Sequence, residues 1–220
     1  MSIGSDIKEV LEEIGIQYTI FPGGDLVNGI SGEYGIDKIN VLTTRPFFNE
    51  YVKTLMISYD SQLNNGDLIE ISGENRYLIV SLDNFHVEGS TYKRIGTLYK
   101  ANTSGEFRRR STTMISGGVP LHSYAQREVS GGYVLSQAWE TLLPYDAYSL
   151  LTTFSIEKLD EDAPEGAILE RAYQLYTLSA YGIRELDQYV IGADKYVINA
   201  VHPYKYAGLV VCTVSVDQRE

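Results

Sequence analysis

Hydrophobic and polar positions alternate along much of this chain with the period of two that half-buried strands require. The clearest block runs from Asp67 to Leu82, DLIEISGENRYLIVSL. Leu68, Ile69 and Ile71 make one arm of a β-hairpin and Tyr77 to Val80 the other. Gly73-Glu74-Asn75 is the turn, because glycine takes positive φ freely and asparagine tolerates it. A near-copy lies at Asp187 to Val201, DQYVIGADKYVINAV, with Gly192-Ala193-Asp194 as its turn. Arg76 then aligns with Lys195 and Tyr77 with Tyr196, 119 positions later. A strand precedes each hairpin, Thr54 to Tyr59 and Tyr173 to Leu178. A polar, aromatic connection follows each, holding His86 and Tyr92 in the first and His202, Tyr204 and Tyr206 in the second. The pattern predicts one small β unit used twice.

The remaining elements fit around these blocks. Ser5 to Ile14 predicts an amphipathic helix, with Ile7, Val10, Leu11 and Ile14 as its apolar stripe. Ser5 or Asp6 caps it, Glu9 completes a capping box with Asp6, and Gly15 stops it. Such a helix plugs a barrel end, docks on a neighbour or, most ordinarily, packs on its own module. Gln17 to Phe21, Lys38 to Thr44, Tyr51 to Tyr59 and Tyr92 to Ala101 read as strands. Leu26 to Gly35 reads as a loop, Asn64 to Asp67 as a turn and Asn84 to Ser90 as a polar turn region. Val134 to Phe154 is apolar but interrupted by Pro144, which argues against one helix. Glu157 to Gly166 is an acidic loop, and Ala172 to Tyr181 and Leu209 to Val216 are strands. The expected fold is mainly β, with two small β-barrel or sandwich modules, long loops and a short N-terminal helix. Its expected division is an N-terminal β module at 1–105, a linker or extended loop at 106–133 and a C-terminal β module at 134–220.

Composition narrows the chemistry. No stretch approaches the run of about 18 apolar residues that crosses a bilayer, so no membrane is expected as a partner. The N-terminus has no basic segment followed by an apolar one, which predicts no secretion signal. Cys212 is the single cysteine, so no intrachain disulfide is available and a reducing compartment fits. The formal charge of −11 opposes wrapping of nucleic acid. It serves either solubility or an acidic surface past which DNA slides. The 18 tyrosines outnumber 6 phenylalanines, which suits strand faces that end in water or in a partner.

No catalytic motif stands out. His86, His122 and His202 are scattered without metal-ligand spacing, and His86-Val87-Glu88 lacks the cysteine pair of a zinc deaminase. Gly-x-Ser-x-Gly is absent, and neither Pro22 to Gly24 nor Gly117-Gly118 leads into a phosphate-binding lysine. Asp160, Glu161, Asp162 and Glu165 lack the spacing of a calcium loop. No cofactor, metal or catalytic residue is expected. Arg108-Arg109-Arg110 is the one basic cluster, facing DNA phosphate, an acidic neighbour or water.

Two segments carry a resemblance. One is Asn65-Gly66-Asp67-Leu68-Ile69 with Arg76-Tyr77-Leu78-Ile79-Val80, followed by Thr97-Leu98-Tyr99-Lys100-Ala101-Asn102. The other is Gly192 to Val201 with His202-Pro203-Tyr204-Lys205-Tyr206. Together they resemble the head-completion or head-closure (neck, stopper-type connector) proteins of tailed bacteriophages. The resemblance implies small β-barrels with long loops, assembled as a homo-oligomeric ring between portal and tail in the virion. Its partners would be neighbouring connector and tail proteins, with DNA only passing through the channel. On that reading the loops Gly23 to Gly35 and Gly117 to Gly132 face the channel or neighbouring subunits. The residues singled out are Gly23, Gly24, Gly35, Arg108, Arg109, Arg110, Gly117, Gly118, Gly131, Gly132 and Trp139. The alternatives are a tail-terminator or baseplate protein, and a β-rich carbohydrate- or protein-binding module with an aromatic patch around Trp139 and Tyr145.

Overall fold

The computed structural model describes residues 3–38, 51–71, 75–116, 133–154, 172–217 and 219. Helix α1 (Ile3–Ile14) leads into β1 (Ile16–Phe21), β2 (Ile30–Lys38), β3 (Val52–Ser58), β4 (Leu68–Ile71), β5 (Arg76–Val87) and β6 (Ser90–Lys100). These six strands close into an antiparallel barrel in the order β1-β2-β3-β6-β5-β4. The chain continues through β7 (Thr103–Ser116), β8 (Tyr133–Thr141), β9 (Ala147–Phe154), β10 (Ala172–Leu178), β11 (Gln188–Ile191), β12 (Asp194–Tyr206) and β13 (Leu209–Val216). Pairing of β7 with both β9 and β11 closes a second six-stranded barrel, to which β8 adds through β7. The fold is thus mainly β with two barrel modules and a short N-terminal helix, as the pattern predicts.

The repeat extends well beyond one hairpin. In order, β1 to β6 correspond to β7, β9, β10, β11, β12 and β13, and β8 is the extra strand. Ile69 faces Tyr77 in the first hairpin and Tyr189 faces Tyr196 in the second. A bulge follows at the same place in each, between Ile79 and Ser81 and between Ile198 and Ala200. The aspartate opening each hairpin also plays one part twice. The Asp67 carbonyl accepts the Ile79 amide at 3.1 Å, and the Asp187 carbonyl accepts the Ile198 amide at 2.9 Å. Their carboxylates, both buried, accept the amides of Asn64 at 2.8 Å and Arg184 at 2.7 Å. A short polar side chain that pins its own turn this way fixes where the hairpin begins.

The first hairpin also explains its continuous apolar run. Ile69, Ile71, Tyr77 and Ile79 point into barrel one. Leu68, Leu78 and Val80, on the opposite face, join the core that fills barrel two. A strand covered on both faces needs no polar alternation. The barrels therefore meet through a packed wall.

Several boundaries differ from the sequence reading. Residues 106–116, expected within a linker, form part of β7, because Phe107 is buried and stacked on Tyr189 with ring centroids 4.5 Å apart. Ile30 to Gly35, expected as loop, lie in β2 and pair with β1. The expected turn at Asn84 to Ser90 is strand as far as Val87 and reverses at Glu88-Gly89, both at positive φ. His202, Tyr204 and Tyr206 lie in β12 rather than in a connection. The helix begins two residues early, so Asp6 sits in its first turn and is not its cap. It packs on β2, β3 and β6 of its own module, yet of the expected stripe only Leu11 is buried, while Val10 and Ile14 are exposed. All but Lys38 of the strand expected at Lys38 to Thr44, the turn residues Gly73 and Glu74, and the acidic loop at Glu157 to Gly166 lie outside the described residues.

The repeat also exposes a strained position. Gly66 sits at φ 85° just before Asp67, and its counterpart before Asp187 is Leu186 at φ 69°. A side chain in the left-handed region costs about 1–2 kcal/mol, and Leu186 is 67% exposed, so it gains little burial in return. Leu186→Gly is expected to stabilise the protein by about 0.5–1 kcal/mol, read as a higher midpoint in urea denaturation.

Candidate assembly interface

Each candidate residue now has a place. Gly23 and Gly24 form a short 3-10 turn after β1, at φ 57° and 79°. The Gly23 amide donates to Asp67 at 3.0 Å. A Cβ on Gly24 would collide with Leu178 and Tyr181 of barrel two. This glycine turn therefore serves the contact between the two barrels of one chain. Gly35 is buried in the wall of barrel one, where a Cβ would lie 3.0 Å from the Leu55 side chain. Gly117, Gly118, Gly131 and Gly132 lie outside the described residues, as does His122.

The three arginines separate along β7 because strand neighbours point to opposite faces. Arg109 donates from Nε and Nη2 to both carboxylate oxygens of Asp187, at 2.8 and 2.7 Å, and from Nη2 to the Gly182 carbonyl. Its fork carries the second carboxylate of the repeat, where Asp67 accepts the backbone amides of Gly23 and Asn64. Burial raises the Asp67 carboxyl above the ordinary range, against the pull of those amides. Arg108 pairs with Glu106 at 2.5 Å. The exposed Arg110 lies over Trp139, 5.5 Å from the ring centre, and Arg219 lies 5.4 Å from the same ring. Arg219 is in turn held bidentately by Asp217, which Gln188 also contacts at 2.7 Å. Burial pushes the Asp217 carboxyl up, but these hydrogen bonds and the Arg219 charge outweigh it and hold it at about 2. This end of barrel two is a structural clamp around Trp139.

The contact between barrels is aromatic and polar. Tyr99 of β6 meets Tyr176 of β10 and Tyr206 of β12 edge-on, at 5.5 and 6.2 Å. The Arg76 guanidinium lies 4.2 Å from the Tyr148 ring centre and binds Glu70 at 2.6 Å. Asn102, between the barrels, both donates to and accepts from Leu151, each at 2.8 Å, and so imitates a strand partner. Gly66 and Gly208 touch through bare backbone, since a Cβ on Gly66 would fall 2.8 Å from the Gly208 Cα. Sequence reasoning assigned none of these residues. Their signals were the aspartate opening both hairpins and the Ala-Gly pair before the last strand.

Among the described residues no three His, Cys, Asp or Glu groups come together as a metal site. His86 and His202 are exposed on separate barrels. Burial pushes the Cys212 thiol up to about 12, which removes it as a nucleophile at neutral pH. What the surface does offer is apolar. Ile3, Val10 and Ile14 form an exposed stripe on α1. Phe85 and Val87 are exposed on the β5–β6 arm, and Tyr204, 97% exposed, stands on the β12–β13 arm. A recess of about 500 Å³ lies between the start of α1, Tyr59 and the β5–β6 tip, lined by Val87, Glu88 and Tyr92. No family model, curated protein or solved structure matches this chain.

Two predictions separate clamp from surface. Arg109→Met leaves the buried Asp187 carboxylate without its cation and is expected to cost about 2–4 kcal/mol, whereas Arg110→Ala should change stability by less than about 0.5 kcal/mol. Urea titrations of both variants check the contrast. For Asp217 the folded carboxyl lies below its ordinary value of 3.8, so its contribution is present above about pH 4 and is lost as pH falls through about 2. Asp217→Asn is expected to be about 1–2 kcal/mol less stable at pH 6, with the gap closing by pH 2.

Proposed function

We propose that this chain is a structural subunit of the tailed-phage neck, forming a ring that joins portal or adaptor to tail and helps retain or pass DNA. The observation that carries the reading is the pair of hairpin arms. From Asp83 to Tyr92 the β5–β6 arm is paired only with itself among the described residues, and its β5 half is exposed from Asp83 to Val87. The β12–β13 arm carries the fully exposed Tyr204. Apolar side chains on projecting strands cost solubility in a free monomer and stabilise once a neighbour covers them. The firm junction between barrels supports the same reading, since ring subunits transmit load. The net charge of −11 suits a channel that DNA traverses without binding. Arg109, held by Asp187, belongs to the frame of such a subunit and not to its DNA path.

The test is electron microscopy of the purified protein at rising concentration, together with labelling of it in purified particles. Closed rings with a central channel, and label at the head–tail junction, are expected. A filter-binding assay should retain no duplex DNA even at low salt. A chain that stays monomeric at millimolar concentration and is missing from particles would overturn the proposal.

A further inference from the structure

The second module breaks the repeat at one place. In the first module β1 ends at Phe21, opposite Leu68, and a short glycine turn follows. The matching position in the second is Arg108, opposite Gln188, and there β7 does not stop. It runs on to Ser116 and returns as β8, the two strands pairing from Arg108 with Thr141 to Ser116 with Tyr133. Barrel two uses only the first part of β7, Thr103 to Gly105 against β9 and Glu106 to Arg108 against β11. Arg108 has β11 on one side and β8 on the other, so beyond it the ribbon leaves the barrel. Among the described residues the β11-side edge of β7 pairs with nothing from Arg109 to Ser116, and neither does the edge of β8 turned away from β7. A two-stranded ribbon is at best marginally stable alone, and an open edge presents unpaired amides and carbonyls that template another strand.

We infer that this ribbon pairs edge to edge with the ribbons of neighbouring copies, β8 of one copy against β7 of the next. This rests on the ring reading above and specifies a contact within it. The occupant is a second copy because one ribbon carries both halves of the pairing. Its β8 already matches β7 antiparallel over nine consecutive residue pairs, and the edge it keeps open fits a second β7 in the same way. The charges agree. Glu140, exposed, is the one charged residue of β8. The free edge of β7 opens with Arg109, bound to Asp187, and Arg110, which no carboxylate among the described residues binds. Repeating the register of the ribbon between copies sets Arg109 across from Glu140 and Arg110 across from Trp139, the ring it already overlies within the chain. Opposite charges fix the direction of approach. Two-fold pairing of β8 with β8 would leave the β7 edge of each copy open. Head-to-tail pairing covers both edges and repeats until a ring closes.

Single thiols read out the pairing. Ser111→Cys and affinity-tagged Ala138→Cys proteins are mixed at high concentration and treated with a short bismaleimide, whose reach tolerates a register shifted by two residues. Cys212 is fully buried and does not compete. Ser111 and Ala138 face each other within the chain, so with one thiol per protein every cross-link must join two copies. Neither residue belongs to a barrel core, and unchanged melting of each variant checks the fold. A heterodimer from the mixture, about tenfold above the homodimer of either variant alone, is the expected result. A homodimer as the main product would overturn the inference in favour of two-fold pairing. An equal yield with Asn84→Cys, on the open edge of β5, in place of Ser111→Cys would overturn the assignment of β7 as the partner strand. No cross-link, while sedimentation still shows concentration-dependent association, would overturn this contact and leave the ring reading standing. No association at all at millimolar concentration would overturn both.

Discussion

Everything in this molecule depends on the β4–β5 hairpin being buried on both faces. Its inward side chains, Ile69, Tyr77 and Ile79, complete one barrel. Its outward ones, Leu68, Leu78 and Val80, complete the core shared with the other. A one-residue slip in register would exchange the two sets and disrupt both cores at once. That is why the start of the hairpin is pinned so firmly. Asp67 holds the amides of Gly23 and Asn64 with its side chain and that of Ile79 with its backbone. The desolvation of that carboxylate, visible in its raised pKa, is the energetic cost of fixing the register.

The second module solves the same problem differently. Asp187 occupies the same site with the same local hydrogen bonds, but the outward face of β11–β12 is only partly covered, Val190, Ile191 and Val197 being half-buried. There the carboxylate receives a guanidinium, Arg109, from the neighbouring strand. The ion pair ties β7 to β11, the pairing that closes barrel two. An arginine that reads in sequence as part of a basic surface cluster is therefore the closure of a barrel.

These two hairpins mark what the sequence makes legible. Repeated local order is visible from sequence alone: the strand before each hairpin is observed, and the aligned Tyr77 and Tyr196 appear at matching places in the registers. Contacts that depend on which residue lies across a closed barrel are not visible. Nothing in Arg108-Arg109-Arg110 announces that the middle residue alone turns toward Asp187, 78 positions away. The alternation of β7 decides that, and β7 itself was hidden because a run of arginines and threonines reads as connector. The tyrosines were harder still. Tyr18, Tyr77 and Tyr189 fill barrels, while Tyr99, Tyr176 and Tyr206 form the junction, so much of the tyrosine excess is spent inside the chain. The α1 stripe was legible as a stripe, but only the structure shows that Leu11 alone of its four members is buried.

A repeated fold raises the question of which equivalent surfaces are used within the chain and which between chains. The loop before Asp67 meets the turn after β12 backbone to backbone at Gly66 and Gly208, and this contact is internal. Its counterparts, Leu186 and Gly89, carry no such pairing: Leu186 is exposed and a Cβ on Gly89 would meet nothing within 4 Å. Internal packing has thus used the loop before the first hairpin and the arm turn of the second module, and left the first module's arm turn open. The open end of the first module holds the recess under α1. The equivalent arm of the second module carries the exposed Tyr204, but its turn is seated on barrel one and Tyr206 packs on Tyr99, so of the two arm turns only the first stands free among the described residues: one repeated element serves as a junction in one module and as surface in the other.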